Sequence, residues 1–155
     1  MSVRIDYKKI GAEAVRGLRE LEVYLSNSGL NPMLRELIKM RVSQINHCAF
    51  CLDMHSKDAM KIGETVQRIV GLDAWREAPY YSEKERAALE WTEAVTLISE
   101  NDIPDELYHA VRKHFDEQEL LNLNLAVIAI NAWNRMAIPF RSEVGSYQPK
   151  KTNKN

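Results

Sequence analysis

Apolar residues recur every three or four positions along almost the whole chain, and no alternating β-branched run is long enough to demand a strand. This period is helical, so an all-α fold is expected. A first helix is expected over residues 12–26, with Ala14, Leu18, Leu21 and Leu25 as its buried stripe and Val15 beside it. Gly17 weakens that helix and Gly29 stops it. Asn31-Pro32 then supplies an N-cap and a first helical residue for a second helix to about residue 45. A third is expected over residues 48–62, ended by Gly63, and a short one over 65–70, ended by Gly71.

Residues 73–81, with Pro79 among them, read as irregular. Ser82-Glu83-Lys84-Glu85 is a capping box that starts a helix through Ser99. Pro104 opens another that ends near Phe115. Asp116-Glu117-Gln118-Glu119 resembles a second box and begins a long last helix to about Ile138, where Pro139 is expected to end it. No internal repeat or linker divides the chain. One helical domain is expected over residues 1–141, followed by a polar, lysine-rich, disordered tail over 142–155.

Bulk properties exclude several classes of function. A formal net charge of −1 leaves no electrostatic footprint for nucleic acid. The most apolar stretch, residues 120–133, is interrupted by Asn122, Asn124 and Asn131 and is too short to span a bilayer. The first residues have no apolar core of the kind a signal peptide needs, so the protein is expected to be cytoplasmic, with neither a membrane nor a nucleic acid as partner.

Within that helical frame the two cysteines of the chain fall in one turn, Cys48-Ala49-Phe50-Cys51, with His55 one turn further. A staple closing so short a loop removes little unfolded-state entropy, and a reducing compartment disfavours structural disulfides. A reactive dithiol is the better reading. Residues 48, 51 and 55 are spaced i, i+3 and i+7, so their side chains share a helix face. Cys48 sits where unpaired N–H groups and the helix dipole favour a thiolate, and His55 offers Cys51 a proton acceptor.

Glu36 is a further candidate. The buried stripe of the second helix is Leu34, Leu37, Ile38, Val42 and Ile45; Glu36 lies off it with Met33, Met40 and Ser43, while Arg35 and Lys39 take other directions. A lone helix glutamate is more often solvated. This one precedes the cysteine helix by a short connection, so the two helices should pack as a pair and bring Glu36 to His55.

Other readings of the motif stand beside this one. The thiols could be inert core residues. Cys48, Cys51 and His55 could hold a zinc ion with Glu36 or His47, although no second ligand knuckle exists. Position 52 is leucine, against haem attachment, and the lack of a βαβ pattern argues against a thioredoxin fold. His109 and His114 read as surface residues, and Trp91 and Trp133 as packing residues. Asn131 and Arg135, on the apolar last helix, could line a pocket or bridge subunits.

Glu36, eleven residues, Cys48-x-x-Cys51, three residues and His55 together resemble the signature of the AhpD-like alkylhydroperoxidases of the carboxymuconolactone decarboxylase superfamily. Residues 45–55 and the later Ala129-Ile130-Asn131-Ala132-Trp133-Asn134-Arg135 are similar to that family too, and the resemblance extends over about residues 10–141. It implies an all-helical, homo-oligomeric protein, commonly a trimer or hexamer. No resident cofactor or metal is expected. The resemblance also implies that Cys51 attacks a hydroperoxide, assisted by His55 and Glu36, and that Cys48 resolves the sulfenic acid to a disulfide. An external dithiol, in the best-known members a lipoyl group on a partner protein, then reduces it. General disulfide reduction or redox sensing are the alternatives, and carboxymuconolactone decarboxylation, which has no use for a dithiol, is a weaker one. The founding members carry a histidine between the cysteines; this chain has Phe50.

Overall fold

The computed structural model describes residues 2–149. Among them are eight α-helices and no strand, so the chain is all-α as its periodicity requires. The helices are α1 (Tyr7–Ile10), α2 (Arg16–Asn27), α3 (Pro32–Ile45), α4 (Ala49–Lys61), α5 (Val66–Gly71), α6 (Glu83–Thr96), α7 (Asp105–Arg112) and α8 (Glu117–Phe140), with a 3-10 turn at Leu72–Ala74.

The caps read from sequence are formed. Asn31 Oδ1 accepts from the backbone N–H groups of Met33 at 2.9 Å and Leu34 at 3.1 Å. Ser82 with Glu85, and Asp116 with Glu119, each make both bonds of a capping box. Gly63 takes φ +106 just beyond α4, a conformation that glycine alone adopts freely.

Helix α3 is the centre of the molecule and packs against α4, α6 and α8. Its burial is accordingly wider than the single expected stripe: every residue from Glu36 to Met40 is buried. Leu37, Ile38 and Val42 are removed from water entirely, each contributing about 1.5–3 kcal/mol by burial. On one side Leu34, Ile38 and Val42 join Leu123, Val127 and Ile130 of α8. On the other, Leu37 and Met40 meet Ala59, Leu72, Trp75 and Leu89.

Several expected boundaries move. Helix α2 starts at Arg16, after turns over residues 12–15, and Ala14 is exposed. The short helix α1, capped by Asp6 through Lys8 N–H, was not expected. Helix α6 stops at Thr96 rather than Ser99, and residues 97–100 form turns in which Glu100 N–H bonds the Leu97 carbonyl three residues back. Helix α7 ends at Arg112, and Phe115 closes a turn onto Val111. Helix α8 runs through Pro139 to Phe140. Proline so near a C-terminus costs a single helical bond, and Arg4 donates to the carbonyls of Pro139 and Phe140, satisfying the end of the helix from outside.

Residues 142–149 of the expected tail lie beside α4. Gly145 N–H donates to Asp53, Lys57 Nζ donates to the Tyr147 carbonyl, and the Tyr147 hydroxyl donates to Asp58 at 2.8 Å. The rest of that tail falls outside the described residues. No helix among the described residues is long and apolar enough to cross a membrane.

Candidate active site

Helices α3 and α4 form a hairpin joined by Asn46 and His47. His47 takes a left-handed φ of +57, which turns the chain so that Cys48 N–H reaches the Ser43 carbonyl at 2.9 Å. Cys48 is thereby the N-cap residue of α4, with Cys51 and His55 on the following two turns. All three side chains are buried. The turn is fastened to α8 by amides: Asn46 Nδ2 donates to Asn131 at 3.0 Å and to Asn134 at 2.9 Å, and Asn134 Nδ2 donates to Ser43 Oγ at 3.1 Å. Asn131 therefore holds the cysteine turn, and Arg135 reaches back to Asn131 at 2.7 Å from an exposed position.

Cys48 and Cys51 are joined as a disulfide, with Cα atoms 5.4 Å apart. From the facing helix Glu36 Oε2 lies 2.7 Å from His55 Nδ1, and the two residues are only 7% and 5% exposed. Burial pushes the Glu36 carboxyl up, but the His55 hydrogen bond and the positive charges of His55, Lys39 and Arg35 outweigh it and hold the group below its ordinary range. A carboxylate can only accept, so Nδ1 carries the proton. In the neutral ring Nε2 is then the acceptor, the state a base for Cys51 requires.

Lys39, expected to point elsewhere, is buried and bound to Glu22 at 2.6 Å. Asp58, one turn beyond His55, accepts from Tyr147. The Tyr147 hydroxyl is pushed up to about 12 by burial, by that hydrogen bond and by the charges of Asp58 and Glu36. Lys39 follows Glu36 by three residues and Asp58 follows His55 by three, so helical spacing alone could have flagged both. Tyr147, and Asn46 with its α8 partners, carried no such local signal.

The two cysteines line different spaces. Cys51 and His55 line a cavity of about 470 Å³ walled by Phe50, Met54 and Trp133, while Cys48 lines another of about 570 Å³ bounded by His47, Ile138 and Arg141. Phe50 lines both. In the disulfide state neither cysteine is available to a metal in the arrangement considered from sequence, and His47 lies exposed in the turn. Ligand atoms of Glu36, His55 and Asp58 do lie within 4.8 Å of one another. All three are already engaged, Glu36 with His55 and Asp58 with Tyr147.

Fold and site together define a helical dithiol–disulfide protein with a carboxylate–imidazole pair beside one sulfur. The chain belongs to the carboxymuconolactone decarboxylase family, whose sequence profile matches residues 11–94, and within it to the AhpD-like proteins. It is 49% identical to the uncharacterized protein YdfG of Bacillus subtilis over 94% of this chain and 99% of that one. A crystal structure from Agrobacterium tumefaciens, described as a protein of unknown function and putative antioxidant defence protein AhpD, matches with a TM-score of 0.90 and 43% identity, covering 94% of this chain and all of that one. An uncharacterized peroxidase-related protein from Silicibacter sp. TM1040 shares the fold at a TM-score of 0.78 and 23% identity, over 88% and 72% of the two chains.

Proposed function

We propose that the protein is a thiol-dependent peroxidase that reduces hydroperoxides through a Cys48/Cys51 dithiol–disulfide cycle. The observation that carries this reading is the buried Glu36–His55 pair beside Cys51 at the floor of a cavity. His55 Nε2 takes the Cys51 proton. The thiolate attacks one peroxide oxygen, an S–O bond forms as the O–O bond breaks, and the alkoxide leaves as the alcohol with the proton from His55. Cys48 then attacks the Cys51 sulfenic acid; the S–S bond forms, the S–O bond breaks, and hydroxide leaves as water with the Cys48 proton. An external dithiol returns two electrons and two protons and is itself oxidised.

The Cys48–Cys51 disulfide supports the reading, since the cycle's oxidised half contains that bond. Cys48 lines a cavity that Cys51 does not, and the reductant, by family resemblance a lipoyl group on a partner protein, approaches from that side. The descriptions of the Agrobacterium and Silicibacter proteins, antioxidant and peroxidase-related, agree with this reading. The chain also works as a homo-oligomer, trimer or hexamer: Leu121 and Ile128, seven residues apart on α8, are half exposed, as an intersubunit stripe would be before assembly. Light scattering that returned a monomer mass would remove this part of the proposal.

The test treats reduced protein with one equivalent of an organic hydroperoxide and follows free thiols and intact mass. Loss of both thiols and of two hydrogens is expected, and repeated turnover with dihydrolipoamide separates an enzyme from a redox sensor. Persistence of the thiols overturns the reading.

A further inference from the structure

The cavity above Cys51 carries charges that the peroxidase chemistry does not use. Five charged side chains line it besides His55: Lys8, Arg19, Lys39, Glu22 and Asp58. Three are spoken for. Lys39 is paired with Glu22 at 2.6 Å, and Asp58 accepts from the Tyr147 hydroxyl. Lys8 and Arg19 have no carboxylate within 4.0 Å among the described residues. Asp58 keeps its charge, since its partner is a neutral hydroxyl, so the lining carries one net positive charge, with Lys8 and Arg19 as its two cations without a carboxylate partner.

Both cations are exposed, whereas Cys51 and His55 are buried, so the positive charge lies at the mouth and the reacting sulfur at the floor. Between them the walls are apolar: Phe50, Met54, Trp133 and Ala137. Phe50 also fixes one of the cations, since Lys8 Nζ stands 5.2 Å from its ring centroid. The residue that departs from the histidine of the founding AhpD proteins thus builds apolar wall and holds positive charge at the entrance. A volume of about 470 Å³ is that of a small-molecule site, larger than hydrogen peroxide needs.

We propose that this cavity selects an amphipathic organic acid: an alkyl or aryl hydroperoxide whose carboxylate lies between Lys8 and Arg19 while its peroxide reaches Cys51. The selectivity rests on the peroxidase reading, and the chemistry is the balanced cycle already given, with the carboxylate unchanged. A neutral hydroperoxide of the same skeleton fills the same walls but leaves both cations hydrated, and a small peroxide makes no use of the walls.

The experiment compares cumene hydroperoxide with its para-carboxylated analogue on the full-length protein. The carboxylated substrate is expected to have the higher kcat/KM, by about fivefold at low salt, from two exposed ion pairs. The ratio should fall to about one in a Lys8→Gln/Arg19→Gln double variant and shrink as salt is raised. Because the readout is a ratio between two substrates, a general loss of folding or activity does not move it. Equal kcat/KM values in the native protein, or a ratio unmoved by the double variant, overturn the acid selectivity and leave the peroxidase reading standing. A separate measurement uses the unreactive 4-isopropylbenzoate and follows binding by calorimetry. If neither hydroperoxide is consumed but the benzoate binds and the double variant does not bind it, the peroxidase reading falls and the acid site stands. If the benzoate does not bind, or binds the double variant equally well, the acid site is overturned.

Discussion

His55 Nδ1 and Glu36 Oε2 lie 2.7 Å apart across the α3–α4 hairpin, and both residues are buried. The contact joins residues nineteen positions apart in sequence and holds the imidazole in one orientation on its helix. It also fixes which nitrogen carries the proton, since an ionised Glu36 can only accept.

Replacing Glu36 with Gln keeps the size and an acceptor but removes the charge that stabilises the imidazolium. Peroxide consumption should fall about 10- to 100-fold, chiefly in kcat, as for loss of assistance to a general base. The folded state holds this carboxyl below its ordinary value of 4.5, so it stabilises the fold fully above that pH and less as pH falls through the lowered value. Urea midpoints measured down the acid range should therefore decline less steeply in the Gln variant than in the native protein.

The two cysteines should not be interchangeable. Cys51→Ser is expected to abolish peroxide consumption, and Cys48→Ser to stop at a sulfenic acid on Cys51, seen as one added oxygen in the intact mass. The reverse pattern would show that the family's assignment of the nucleophile does not carry over to this chain.

Asn134 is fully buried and links Ser43 to Asn46 below the cysteine turn. Asn134→Leu leaves Ser43 without this donor and removes one acceptor of Asn46, for a loss of about 1–3 kcal/mol in denaturant unfolding. Disulfide closure after peroxide addition should also slow, because Cys48 is carried by the turn that Asn134 holds. An unchanged unfolding midpoint would deny the clamp its structural role.

Tyr147 ties residues 142–149 to α4 through Asp58. Its hydroxyl, ordinarily near 10.0, is pushed up to about 12 in the fold, so the stabilisation it gives is complete below pH 10 and lost as pH rises through about 12. Tyr147→Phe should therefore be less stable than the native protein at pH 8, and the difference should close as the solution is made strongly alkaline. Proteolysis between residues 142 and 147 gives a local readout, expected to be faster in the Phe variant at pH 8.

The helices with strong caps were legible because capping is local. Asn31-Pro32, Ser82 with Glu85 and Asp116 with Glu119 each satisfy orphan N–H groups within four residues, whatever lies around them. Boundaries without such signals moved. Pro139 was expected to stop α8, but the helix ends one residue later, at Phe140, where Arg4, far away in sequence, donates to the final carbonyls.

The sequence by itself determined the all-helical class and the neighbouring positions of Cys51 and His55 on one helix face, since both follow from a period of 3.6 residues per turn, whereas Cys48 caps that helix in an extended conformation. Only the tertiary structure decided the partners. It chose His55 rather than water for Glu36, Glu22 for the buried Lys39, and the two α8 asparagines for Asn46. It also left Lys8 and Arg19, which line the cavity, without a carboxylate partner among the described residues. These choices depend on which helix faces cross in space, and burial then makes an unpartnered charge or amide too costly to leave.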